Sequence, residues 1–252
     1  MRPRLIATGL AALTIPIAIF CCPVAGASGA EHADAASDGV LARQINVTSN
    51  DLPPAIAWTS SSQTPNTAAQ TKQAEVAVTC IQRTGGVAQN VSPDPFGTSE
   101  RIGRPVVSDV ESPLFAKQVS TIGLPTVSSD VTFMRTAAQA STDLAAFATS
   151  GGLGCISALI GTLTAAAVGH QIGLTDSFIT IPRHGSGTGG VGVRFAITNA
   201  GVAGTLYDDA FFYAEGAAEV SLSYVNLDSH VESAWETSVA AKVMARAQRL
   251  LG

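Results

Sequence analysis

The final third of the chain changes its hydrophobic period once, and that change restricts the fold more than any other feature. Val193, Phe195 and Ile197 share one side of a strand, and Val220, Leu222 and Tyr224 alternate with Glu219, Ser221 and Ser223. Alternation with period two is the mark of antiparallel strands. It places strands at 177–182, 191–198, 209–214 and 218–225, with Glu215-Gly216 as a tight hairpin between the last two. Beyond Ser229 the period becomes four. Ser229-His230-Val231-Glu232 fits a capping box, and Val231, Trp235, Val239, Val243 and Ala247 then recur along one helical face. Glu232 and Glu236 near its start, with Lys242, Arg246 and Arg249 near its end, complement the helix dipole. The expectation is a long C-terminal helix packed on an antiparallel sheet.

The middle of the chain adds to both layers. Val127, Ser129, Val131 and Phe133 define one side of a strand, with Asp130 and Thr132 opposite. Thr136 can cap a helix with the stripe Ala137, Ala140, Leu144 and Phe147, stopped by Gly151-Gly152. A second, Ala-rich helix over about 153–168 carries Cys155 in its first turn. Upstream, Asn50 to Pro54 reads as a turn and 59–66 as a Ser/Thr/Gln/Pro-rich loop. A helix capped by Thr67-Ala68-Ala69-Gln70 brings Cys80 close to its end, and a short strand follows at 105–110. Helices interleaved with a mostly antiparallel sheet make the class α+β.

The N-terminus reads as an address. Arg2 and Arg4 precede the apolar run Leu5–Phe20, and Ala25-Gly26-Ala27 supplies small residues for cleavage, so 1–27 is expected to be a secretory signal peptide. Residues 28–40, rich in Ala, Ser and Asp, read as a disordered linker, and 41–252 as one domain. Beyond the first 20 residues no stretch is read as apolar for long enough to span a bilayer. Membrane attachment would come only through that leader or a lipid on Cys21 or Cys22, and Ala18-Ile19-Phe20 match the lipoprotein pattern poorly. Cys80 and Cys155 remain, and in an oxidising compartment two cysteines permit one intramolecular disulfide. Two unrelated buried thiols are the alternative. The protein is therefore read as secreted, in the cell envelope or beyond it. A net charge of −5 offers no basic footprint for nucleic acid.

No catalytic, cofactor or metal constellation emerges. Gly185-Ser186-Gly187-Thr188-Gly189-Gly190 satisfies G-x-G-x-x-G, but a dinucleotide site needs a helix after the glycines, and the alternation of Val193, Phe195 and Ile197 predicts a strand. His32, His170, His184 and His230 stand at no metal-ligand spacing and read as surface or cap residues. No G-x-S-x-G elbow is present.

The order of the short motifs does carry a resemblance. Asp51-Leu52-Pro53, a helix ending in Cys80-Ile81, and Val110-Glu111-Ser112-Pro113-Leu114-Phe115 come in series. A strand ending near Phe133, an Ala-rich helix with Cys155, the segment Asp209 to Gly216 and a last helix containing Arg246 complete it. Over about 40–252 this resembles the exported sensor-domain family of actinobacteria, similar to the extracellular region of mycobacterial PknH-type serine/threonine kinases and to free secreted or lipoprotein relatives. The resemblance implies an α+β domain with a disulfide and a ligand cleft. It departs from kinase-linked members in having no kinase domain and one cysteine pair instead of two, which implies a free binding protein. Two functions follow as expectations. One is a noncatalytic, sensor-like domain whose small or lipidic ligand lies in a groove lined by Phe211 or Phe212, whichever faces away from the main core, and by the 184–192 loop. The other is an exported hydrolase assembled from distant residues, such as His184 with Asp208 or Asp209.

Overall fold

The computed structural model describes residues 35–62, 76, 80, 106–117, 124–181, 183–184, 190–231 and 233–252. Its centre is an eight-stranded sheet: β1 (Trp58–Ser61), β2 (Val106–Glu111), β3 (Leu114–Lys117), β4 (Thr126–Met134), β5 (Gly173–Ile179), β6 (Gly190–Thr198), β7 (Thr205–Glu215) and β8 (Ala218–Leu227). Strand order is β1-β3-β4-β8-β7-β6-β5, with β2 also on β4, and every pairing is antiparallel. The helices include α1 (Ala35–Ile45), α2 (Ala137–Phe147), α3 (Ser150–Val168) and α4 (Ser233–Leu251), with a short 3-10 helix at Ser49–Asp51. The α+β class, the C-terminal helix and the single disulfide stand as the sequence predicts.

β2 and β3 run end to end along one edge of β4, broken at Ser112-Pro113. Proline has no N–H for the ladder, and Ser112 fills the gap. Its N–H donates to Ser129 O at 2.8 Å, and its Oγ accepts from Ser129 N at 2.9 Å.

Both faces of the sheet are covered. On one, Val193, Phe195, Ile197, Leu206, Ala210 and Phe212 pack with Leu144, Phe147, Leu153, Ile156 and Ile160 of α2 and α3. On the other, Val131, Phe133, Phe211, Leu222 and Tyr224 pack with Ile45 of α1 and Val239, Val243 and Met244 of α4. β7 therefore lies between two cores and is buried continuously from Asp208 to Ala214. The hairpin into β8 takes two residues, with Gly216 at φ 56°, where a side chain on Cβ would be strained.

Several boundaries differ from the sequence reading. Residues 35–40, read as linker, form the start of α1, because Ala42 and Ile45 give this Ala-rich segment an apolar face to bury against the sheet. Thr59–Ser61, read as loop, are strand because β3 offers them a partner edge. Gly151-Gly152 do not stop α2. They sit in the first turn of α3, where Thr149 Oγ1 accepts from Gly152 N at 3.0 Å and a Cβ on Gly152 would run into the Ala146 carbonyl. Thr136 caps α2 as expected, accepting from Gln139 N at 3.2 Å. α4 starts at Ser233, four residues beyond the expected cap, although Val239, Val243 and Ala247 do form its buried stripe.

α3 also corrects the membrane reading. Its 19 residues have a mean hydropathy of 1.7, so it is long and apolar enough to cross a bilayer by length and composition. Here Leu153, Ile156 and Ile160 pack it against the sheet. Cys155 of this helix is bonded to Cys80, with a Cα–Cα distance of 5.7 Å. Val76 and Cys80 are helical, while the cap expected at 67–70 lies outside the described residues.

Candidate functional site

The register of four strands aligns two rows of side chains on the sheet face that carries α2. Glu111 of β2 stands opposite Asp130 of β4, Asp130 opposite Ser221 of β8, and Ser221 opposite Phe212 of β7. The adjacent row is Asp109, Thr132, Glu219 and Ala214. Residues directly opposite in a ladder project from the same face, so each row runs from carboxylates at β2 to apolar side chains at β7. Phe147 of α2 stacks on Phe212 with ring centroids 5.5 Å apart and planes 18° apart. Between them the rows and α2 frame a small cleft. Asp130, Thr132, Glu219 and Ser221 line its polar part; Leu144, Phe147 and Phe212 line its apolar part.

The polar end is acidic in its strands. β2, β4 and β8 contain Asp109, Glu111, Asp130 and Glu219 and no Lys or Arg. Asp130 is 5% exposed. Thr132 Oγ1 lies 3.5 Å from its Oδ2 and 2.9 Å from Asp109 Oδ1, while no hydroxyl or N–H reaches Asp130 Oδ1. Burial, with the neighbouring Asp109 and Glu111 charges, pushes the Asp130 carboxyl well above the ordinary range. Burial raises Asp109 as well. Burial and the Asp109 charge raise Glu111 to about 7. Desolvation disfavours the ionised form, and like charges add to it.

Phe211 and Phe212 point to opposite faces, and each is buried in its own core. Phe212 lines the cleft; Phe211 packs against Tyr224 beneath α4, ring centroids 5.1 Å apart. Of the 184–192 loop, 185–189 lie outside the described residues, and Gly190–Gly192 already belong to β6. The strand expected after the glycine run is therefore present.

The residues named for a hydrolase are not brought together. His184 lies against Tyr213, ring centroids 5.6 Å apart, and its Nε2 is buried without a hydrogen bond. Tyr213 is four residues beyond Asp209 on β7, roughly 13 Å of strand. Asp208 faces the α2 side, where it accepts from Ser223 Oγ at 2.9 Å, and burial raises its carboxyl to about 7. Asp209 faces the α4 side and is bound by Arg194 through two contacts of 2.6 Å. His230 Nδ1 is 3.7 Å from Asp209 Oδ2, and its ring contacts Tyr207 at 4.1 Å. Glu236 is buried beside this pair, where desolvation and Asp209 raise it to about 8. His170 is a surface residue hydrogen-bonded to Asn199 O at 2.8 Å, and His32 lies outside the described residues.

The sequence reading missed Asp109, Glu111, Asp130 and the Arg194–Asp209 pair. Period two was visible in each strand separately, but the register that joins β2 to β4 and β6 to β7 was not. Among the described residues, no group of three or more His, Cys, Asp or Glu is arranged to hold a metal ion. Comparison of the chain with protein-family models, curated proteins and solved structures finds no match.

Proposed function

We propose that this protein is an exported, noncatalytic binding domain of the cell envelope, sensor-like in kind, that takes a small or lipidic ligand in the cleft between α2 and strands β4, β8 and β7. The observation that carries the reading is the lining of that cleft, with stacked Phe147 and Phe212 at one end and buried Asp130 at the other. Binding sites combine an apolar wall with a few fixed polar groups in this way. The resemblance to actinobacterial exported sensor domains supports it, and the Cys80–Cys155 bond fits an oxidising compartment. The separation of His184 from Asp209 weighs against the hydrolase alternative in the form the sequence suggested.

Native mass spectrometry of protein isolated undenatured from its own host tests this directly. A noncovalent adduct is expected on the native chain, and its occupancy should fall when Leu144→Trp fills the cleft. Turnover of generic ester, peptide or phosphate substrates that is lost in Asp209→Asn, with no adduct found, would replace the binding reading by the enzyme. Intact mass of the exported protein tests the leader: the chain should begin just after Ala27 or Ala30, and retention of Arg2 and Arg4 would refute cleavage.

A further inference from the structure

We propose that this protein forms a symmetric dimer through the free edge of β5, which pairs antiparallel with β5 of a second copy and joins the two sheets into one. The inference goes beyond the binding role and does not depend on it.

β5 ends the strand order, and among the described residues β6 is the one strand paired with it. Its outer edge carries backbone N–H and C=O groups with no ladder to join, a template for another strand. Thr175, Asp176, Ser177 and Phe178 are all exposed, so this edge is open to solvent. Sheets usually blunt such an edge with a lysine, a proline, a bulge or a very short strand. β1, at the other end of the order, has four residues. β5 has seven in unbroken register with β6, and none of them is Lys, Arg or Pro.

The side of the molecule next to this edge is built almost without charge. Of the nineteen residues of α3 and the seven of β5, Asp176 alone is charged, and its carboxylate is already hydrogen-bonded by Ser157 of α3. A surface helix normally turns charged residues to water, whereas α3 turns out Gly154, Ala158 and Thr162. In a chain of net charge −5, copies repel one another over most of their surface, and an uncharged side is where two can meet. A lipid surface would not serve the edge, because hydrocarbon offers backbone groups no hydrogen bonds.

The sequence of β5 selects one self-pairing. Residues directly opposite in a ladder project from the same face, so a two-fold axis normal to the sheet must pass at a residue that faces its own copy. Centring on Asp176 sets like charges opposite each other, which is destabilising. Centring on Thr175 leaves Phe178 beyond the overlap, and centring on Phe178 shortens the overlap. Ser177 remains. It faces Ser177 of the second copy, Thr175 faces Ile179, and Asp176 faces Phe178.

That register also gives Phe178 a seat. Phe178 is 43% exposed and projects to the α3 side of the sheet, as Leu174 and Asp176 do. α3 runs along β5, with Gly161 against Leu174 and Ser157 against Asp176. Phe178 of the second copy, opposite Asp176, therefore comes level with Ser157, where exposed Gly154 and Ala158 leave room beside the helix. A Cβ on Gly154 would meet open space. Each copy thus covers its exposed ring with the other's α3.

Sedimentation velocity of the full chain over a range of concentrations, together with cysteine cross-linking, tests the inference. A monomer–dimer equilibrium is expected. Ser177→Lys, which opposes two ammonium groups at the axis, and Ala158→Arg, which fills the recess for Phe178, should each weaken association about ten-fold or more. Both positions are exposed, far-UV circular dichroism checks that the fold is kept, and either variant decides should the other fold poorly. On mild oxidation Ser177→Cys should yield a disulfide-linked dimer, because residues directly opposite in a ladder stand within reach of a disulfide. Thr175→Cys, opposite Ile179, should not. A chain that stays monomeric at every concentration overturns the inference. A dimer unaffected by Ser177→Lys and Ala158→Arg, or linked as readily through Thr175→Cys as through Ser177→Cys, places the interface elsewhere and overturns it too.

Discussion

Arg246 of the last helix holds Asp51, just beyond the first, with both ends of its guanidinium. Nη1 donates to Oδ1 at 2.6 Å and Nη2 to Oδ2 at 2.8 Å. Nη2 also donates to the carbonyls of Ile45 at 3.0 Å and Asn46 at 2.8 Å, while Lys242 Nζ donates to Asp51 O at 2.8 Å. One arginine thus satisfies the carbonyls left over where α1 ends, a task that falls to side chains when a helix terminus is buried. Burial by itself would raise the Asp51 carboxyl, but Arg246 and the Thr48 amide hold it below the ordinary value.

Arg246→Ala should therefore destabilise the fold by about 2–4 kcal/mol, because it removes the counter-charge of a buried carboxylate, which keeps only its Thr48 donors, and the side-chain donor of two carbonyls. The guanidinium is 18% exposed, which keeps the figure below that of a fully buried pair. Arg246→Lys should recover less than half of the loss, since an ammonium cannot form the two-pronged contact. Urea unfolding monitored by far-UV circular dichroism checks both.

Asp51 and Arg246 stood out in the sequence as separate features, one in a turn and one on a helix face, and nothing local joins them across 195 positions. The same division holds throughout. β8 and the stripe of α4 were legible because each is half-buried, and burial on one face writes a period into the sequence. β7 was harder: with cores on both faces its residues from Asp208 to Ala214 are all buried, so alternation no longer separates inside from outside. β1 and the start of α1 exist by tertiary contact, with β3 and with the sheet, and their Ser/Thr-rich and Ala-rich compositions show no period strong enough to announce them. The cleft was least legible, because its row of side chains comes from four strands whose neighbours are set by long-range register.

Reduction of the Cys80–Cys155 bond should lower stability by about 4 kcal/mol, the chain-entropy value for a closed loop of this size. The two cysteines are 75 positions apart, so the bond removes much freedom from the unfolded chain. Denaturation midpoints of Cys80→Ala/Cys155→Ala against the oxidised parent measure the difference. Equal midpoints would show that the unfolded chain is already restricted without the bond.

Stability should decline as pH rises from about 4.5 toward 8. Burial raises Glu111 and Asp208 to about 7 and Glu236 to about 8, so the folded chain binds more protons than the unfolded chain in this interval. Stability falls with pH wherever that holds, and the decline levels off above the folded values. Asp51 has the opposite sign, contributing stability above the unfolded carboxylate value that is lost in stronger acid. The melting temperature should thus be higher near pH 5 than near pH 8, and Glu236→Gln or Asp208→Asn should flatten the slope. A melting temperature that rises over the same interval would contradict these protonation states.

Ser129→Ala should cost about 1–3 kcal/mol although it removes one oxygen, because that oxygen serves two buried partners. Its Oγ accepts from Val47 N at 2.8 Å and donates to Asn46 Oδ1 at 2.7 Å, and Asn46 Nδ2 in turn donates to Val110 O at 2.6 Å. The chain leaving α1 is fastened to β4 and β2 through this relay, all of it on the face away from the cleft. Alanine leaves the Val47 amide buried without an acceptor, and Ser129 itself is only 3% exposed, so water has little room to substitute. Ser129→Thr keeps the hydroxyl and should restore most of the hydrogen bonding, at the expense of fitting one methyl group into a packed core. Amide hydrogen exchange gives the sharper readout: the Val47 amide should lose protection in Ser129→Ala well before global unfolding does, whereas amides of β7 should stay protected. Uniform loss across both would mean that the relay stabilises the whole domain and not the docking of α1 alone.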